Sequence, residues 1–230
     1  MKRFFDKAAA QPMEGGFGIA LDGRPVRTPA KAALLVPTQV LADAIAGEWN
    51  AQGAKLDPRS MPLTGLANAA IDRIAPDPAL FAASLAVFGE SDLVAYRADS
   101  PPSLIVRQAA AWDPVIDWAR RRYDVEFTAT TGVIHHPQPA ATLERLRAAV
   151  AARTPFELAG LNALVTISGS LLIGLAMLER EIDAEAGWLA GHVDELWQAE
   201  QWGDDELAQK ARVSRRGDFD ASARFLSLLH

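Results

Sequence analysis

The chain reads as an α+β protein: a small N-terminal α+β domain with a short β-sheet, then a mainly α-helical C-terminal domain resembling an orthogonal bundle. Three observations predict this. Short apolar runs flank Asp22-Gly23 in the first third, the pattern of a tight hairpin. Pro76 and Pro78 bracket Asp77, a natural boundary that divides the chain into residues 1–76 and 77–230. Beyond it, apolar residues recur at helical spacing almost to the end.

Taken in order, Gly18–Leu21 and Val26–Thr28 read as strands around the Asp-Gly turn, and Leu34–Val36, closed by Pro37, as a third. Thr38 caps a helix to about Gln52, with Leu41, Ile45 and Trp49 spaced by four along one face. Pro58 and Pro62 break the chain, and a short helix follows around Leu66–Ile74. In the second part, helices are expected from Asp77 to Phe88, from Ser103 past Trp112, and from Pro114, at a first turn, to Tyr123. Glu126–Thr130 reads as a short strand and Leu143–Arg153 as an amphipathic helix. Three helices remain: the uncharged stretch Leu158–Leu178, the segment through Trp202, and Phe219–Leu229 after a stop at Gly217-Asp218.

With 230 residues and half of them apolar, the chain can bury a sizeable core. A net charge of −6 argues against a nonspecific grip on nucleic acid, which needs Lys and Arg to displace counterions. Cysteine is absent, which excludes disulfides, zinc-thiolate sites and thiol catalysis. The N-terminus, Lys2-Arg3-Phe4-Phe5-Asp6, has neither the apolar run of a signal peptide nor an Arg- and Ser-rich presequence, so a cytoplasmic protein, or an already mature one, is expected. Leu158–Leu178 is long enough to span a bilayer. Its Asn162, Thr166, Ser168, Ser170 and three glycines instead predict a buried helix approached closely by its neighbours, with no membrane insertion.

The most telling stretch is Asp194–Gly203, which packs two tryptophans, two glutamines and three carboxylates into ten residues. On one continuous helix, Leu189, Val193, Leu196 and Glu200 share a stripe, placing a carboxylate on the apolar face. Trp202 aligns with Glu195 and Gln198 on the polar flank. This inversion marks a recognition surface. Glu200 has two readings: an internal ion pair with Arg180 or Arg212, or a partner contact. Asp204-Asp205-Glu206 is explained by the start of the next helix.

Other chemistry fails on spacing. Ser168-Gly169-Ser170 lacks the strand-to-turn context of a nucleophile elbow. Gly15-Gly16-Phe17-Gly18 precedes a strand and has no Lys-Ser/Thr, so it is a turn and not a phosphate loop. His135-His136 sits beside Pro137 and Pro139 in a loop; a metal-assisted hydrolase using this pair with Asp124 or Glu126 is the competing enzyme reading. Trp49, Trp112, Trp118 and Trp188 fit packing positions.

Several blocks resemble one family. Asp194-Glu195 through Gly203, with its Gln198-x-x-x-Trp202-Gly203 pattern, is similar to the signature of the assembly chaperones for the catalytic head of F-type ATP synthase. So are Leu21-Asp22-Gly23-Arg24-Pro25-Val26-Arg27-Thr28-Pro29, Glu48–Gln52 with Met61–Thr64, Asp92–Arg97, and Gln108–Pro114. The order and spacing of these blocks carry the resemblance. It implies a non-enzymatic chaperone of bacterial type that binds unassembled alpha subunit and shields it until beta replaces it, with no cofactor or metal. It also implies an important acidic residue, matched to Glu200 or Glu195, and an important tryptophan, matched to Trp49. Glu200, Trp202, Gln198, Glu195 and Trp49 are thus the expected partner-binding residues. The sequence sets no oligomeric state, and a monomer is expected.

Overall fold

The computed structural model describes residues 2–132 and 134–230. The chain divides into two compact units. The first is the segment up to Pro78 together with Thr154–Gly160 and Arg224–His230; the second is Ala79–Arg153 and Leu161–Ala223. A single cut after residue 76 therefore leaves out two later segments that belong with the first unit.

In the first unit, β1 (Ala8–Met13) and β2 (Gly16–Leu21) form an antiparallel hairpin. The other edge of β2 carries β3 (Arg24–Pro25) and β4 (Leu35–Val36). The Asp22-Gly23 turn has positive φ at both residues, 48° and 80°, the geometry that suits the strand twist. Both Asp22 oxygens also accept backbone N–H groups, from Lys7 and Asp6, which hold its carboxyl below the usual range. The strand expected at Val26–Thr28 ends at Pro25 instead; beyond it Arg27 keeps an isolated antiparallel bridge to Ala33, and Thr28 donates its hydroxyl to Asp72 (2.6 Å). The sequence reading missed β1, whose Ala-Ala-Ala-Gln-Pro-Met carries little strand preference. The Gly15-Gly16 patch makes the hairpin turn.

Helix α1 (Gln39–Asn50) is capped by Thr38 and buries Leu41 and Ile45 completely. Glu48 at its end receives the N–H groups of Leu63 and Thr64 and the Thr64 hydroxyl, and so caps α2 (Pro62–Ala69). Asn50 bonds both the N–H and C=O of Ala8, and Gln52 holds Asp57 and Ser60. The Glu48–Gln52 block thus sews the sheet, α1 and α2 together. The chain end completes this unit: Phe225 stacks on Phe156, Leu226 lies against Gly160, and Thr38 donates to the Leu228 carbonyl.

The second unit runs through α3 (Pro78–Ala86), α4 (Pro102–Tyr123), α5 (Ala140–Ala151), most of α6 (Pro155–Ser168), α7 (Leu171–Leu178), α8 (Ala184–Gly191), α9 (Val193–Trp202) and most of α10 (Glu206–Ser227). A parallel pair, β5 (Tyr96–Arg97) and β6 (Thr130–Thr131), lies at its side. The strand expected over Glu126–Thr130 is confined to this pair.

Three expected helix boundaries differ. Pro114 sits inside the unbroken α4, not at the start of a new helix. The uncharged stretch is two helices, broken where Gly169 takes φ +71° and Ser170 caps α7 through the Ile173 N–H. Gly217 lies within α10 and stops nothing. Helix α7 is apolar on every side and buried, as a central helix must be. The expected close approach is realised at Gly174, where any side chain would strike Val165, and at Gly191, beside Ser168. Among the described residues, Pro78–Ala95 is the one stretch long and apolar enough by composition to cross a membrane. Its α-helix ends at Ala86, and Ala82, Leu85, Ala86, Val94 and Ala95 are buried in the unit.

Candidate functional site

The apolar stripe of the sequence forms one wall of a groove in the second unit. Leu189 and Ala190 come from α8, Val193, Leu196 and Glu200 from α9, and the opposite wall is α4 from Arg107 to Val115. The groove holds about 520 Å³. Helices α8 and α9 are separate, with the break at His192, so the four stripe residues share a face across a joint and not along one helix. Leu189 remains 46% exposed, which is high for a leucine in an apolar wall.

Glu200 stands at one end of this groove, and its side chain is 54% exposed. The predicted buried carboxylate is therefore corrected: the stripe faces an open groove, so its last residue reaches water. Its partner is Arg107 on α4, at 2.9 Å, and neither Arg180 nor Arg212.

Glu195 has the internal role instead. It receives Arg212 Nε at 3.0 Å and Arg215 Nη2 at 2.7 Å, and Arg212 also holds Asp204. This cluster ties α9 to α10 across their connection, while Asp205 caps α10 through the Leu207 and Ala208 N–H groups. Trp202 is 74% exposed and packs edge-on against Trp197, with centroids 5.5 Å apart. Gln198 is exposed beside them.

The groove is braced by Gln108, to which sequence reasoning gave no role, and by Trp112, which it read as a packing residue. Gln108, almost wholly buried, accepts from the Ala98 N–H and donates to Asp194, the first carboxylate of the motif. Trp112 donates to the Ala190 carbonyl at 2.7 Å while the Arg97 guanidinium covers its ring. The signal was available in Gln108–Pro114: a polar residue one turn before a tryptophan on the same helical face. Pro114 also lines the groove and cannot donate to the Ala110 carbonyl beside it.

His192 stacks on Trp188 and bonds the Trp188 carbonyl through Nδ1, leaving Nε2 buried with no partner among the described residues. Burial lowers its pKa and favours the neutral ring. At the far end of α4, burial opposes the charge of Glu179, yet Arg153, Arg122 and Tyr123 together outweigh this and hold the carboxyl below its usual range.

Trp49 belongs to the first unit. Its ring meets Phe5 edge-on at 5.7 Å, and its buried indole N–H has no acceptor among the described residues. The residues of the hydrolase reading do not converge. His135 bonds the Tyr96 hydroxyl, Asp124 pairs with Arg145, and no group of three His, Cys, Asp or Glu able to hold a metal exists among the described residues.

The family model of the ATP12 chaperone protein matches residues 2–120, more than half of the chain. The chain belongs to the ATP12 chaperone family. It is 44% identical to Atp12p of Paracoccus denitrificans, whose aspartate-to-lysine mutant superposes with a TM-score of 0.95 over 100% of this chain and 98% of that one. The crystal structure of Atp12 from the same organism gives 0.94 at the same identity and coverage. The mitochondrial protein atp12 of Schizosaccharomyces pombe is 24% identical over 91% of this chain and 76% of its own length. In the structure of the ATP12 family, the small N-terminal sheet and the helical remainder are those expected from the sequence.

Proposed function

We propose that this ATP12-family protein is a bacterial, cytoplasmic chaperone for assembly of the catalytic head of F-type ATP synthase. It holds unassembled alpha subunit and covers its beta-facing surface. Family membership supports a chaperone, and the groove between α4 and α8–α9 is the observation that carries the reading down to residues. An open apolar groove ending in an ion pair suits a client that presents exposed apolar surface. Leu189 and Leu196 supply the apolar wall. Glu200 and Arg107 orient polar groups at its end, and Trp202 with Gln198 adds an aromatic-polar rim. Glu195 acts by holding α9 in place. Beta displaces the chaperone by mass action, so neither nucleotide hydrolysis nor a cofactor on the chaperone side is required.

The test is aggregation of purified alpha subunit followed by light scattering. The wild-type protein at equal molar amount suppresses the scattering. Leu189→Glu, a change at a half-exposed position that leaves the fold intact, does not. Equal protection by both proteins would remove the groove from the account.

A further inference from the structure

Within the groove, the α4 wall presents a backbone acceptor. Pro114 lies well inside α4 and has no N–H, so the Ala110 carbonyl one turn earlier loses its helical donor. The proline ring also crowds that carbonyl and pushes it away from the helix axis. Ala110 and Pro114 are both exposed and both line the groove, so the freed oxygen lies on the groove side of the helix. The same two residues line a neighbouring depression with Asp113 and Asp117, which leaves this strip open from two sides.

The surroundings keep this acceptor free. A proline inside a helix is destabilising, and the residue before it resists the helical conformation. Here Arg97 meets Asp113 at 2.7 Å and braces that residue. On the facing wall the Ala190 carbonyl, at the end of α8, has the same need for a donor, and the protein supplies one in Trp112 at 2.7 Å. No side chain among the described residues does this for Ala110. The groove side chains around it, such as Ala186, Leu189 and Val193, are apolar. A polypeptide entering such a groove leaves water and needs acceptors for its backbone N–H groups.

We infer that the Ala110 carbonyl is a recognition point of the groove, accepting a backbone N–H from an extended segment of the client, and that Pro114 is the positioning residue that keeps this acceptor free. The extended form follows because a helical segment spends its N–H groups on its own carbonyls. The inference rests on the alpha-subunit reading above and adds a directional contact to an otherwise apolar wall. Apolar contact is non-directional, so a hydrogen bond here fixes where along the groove the segment sits.

The experiment measures the affinity of purified alpha subunit for wild type, Pro114→Ala and Pro114→Val, with thermal melting and amide exchange on the same preparations. Both variants bring an N–H that closes the helical bond to Ala110 and draws its carbonyl back along the axis; valine also keeps apolar bulk in the wall. The new N–H at position 114 is expected to exchange slowly. The inference predicts that both variants melt higher than wild type yet bind alpha about fivefold more weakly, the loss expected for one neutral hydrogen bond. A proline that serves only the fold predicts no loss of binding in a variant that melts higher. Binding by both variants as tight as wild type overturns the inference while the alpha reading stands. Loss confined to Pro114→Ala assigns the effect to the apolar contact of the ring and also overturns it, as does weaker binding with a lower melting point. If wild type itself binds no alpha, the alpha reading falls and the inference with it.

Discussion

Glu200 shows how spacing can put a side chain on the right face and still miss what surrounds it. Its spacing from Leu189, Val193 and Leu196 puts it on the apolar face, and the four do line one groove. What spacing could not show is that the facing wall leaves that groove open, so the carboxylate meets water and Arg107. An exposed pair of this kind contributes less than about 1 kcal/mol to folding. Glu200→Lys is therefore expected to melt like wild type while holding alpha about tenfold more weakly, through repulsion of Arg107 and loss of the polar end of the groove. Melting curves and alpha binding on the same preparation check both halves. Asp92 makes the opposite case. Its wholly buried carboxylate accepts the Val94 and Leu172 N–H groups, and burial, outweighing those bonds, pushes its pKa up from 3.8 to about 6. Folding then takes up a proton between these values. The stability due to this group is fully present below pH 3.8 and is lost as pH rises through 6, a fall of about 3 kcal/mol. Urea unfolding from pH 4 to 7 should show this fall in wild type relative to Asp92→Asn, which cannot titrate.

Among the elements, capping side chains were legible, whereas proline and glycine punctuation was not. Thr38 and the Asp204-Asp205-Glu206 run open helices as expected, because capping is local chemistry. Pro114 was read as a start and Gly217 as a stop, yet both lie inside helices that tertiary packing carries through. Gly169 did break its helix, but only its φ of +71° reveals it, since the surrounding run is uniformly apolar. Gly169→Ala must hold a side chain in that left-handed conformation and is expected to cost about 1 kcal/mol, read from the thermal midpoint. Gln108→Ala strips the Ala98 N–H and Asp194 of their partner and is expected to cost about 2 kcal/mol by urea unfolding. That bond was invisible in the sequence because its ends lie 86 residues apart.

For the whole molecule, the fold class and the order of its parts followed from periodicity and punctuation. The membership of Thr154–Gly160 and Arg224–His230 in the first unit did not, because a boundary read along the chain cannot show a return. The return has a consequence. Phe225 and Leu226 are buried there, and Leu228 accepts from Thr38 at the start of α1. Removing residues 224–230 is expected to destabilise the first unit, seen as faster amide exchange along α1. The wall of the groove proposed here for client binding was visible in the sequence as a motif of tryptophans, glutamines and carboxylates, whereas its opposite wall on α4 required the fold.

The most direct test of the central claim is a pull-down of the tagged protein from cells actively making ATP synthase, with bound proteins identified by mass spectrometry. The account predicts enrichment of alpha subunit without stoichiometric beta, and loss of that enrichment with Leu189→Glu. Recovery of the whole assembled enzyme, or of no ATP synthase subunit at all, would contradict it.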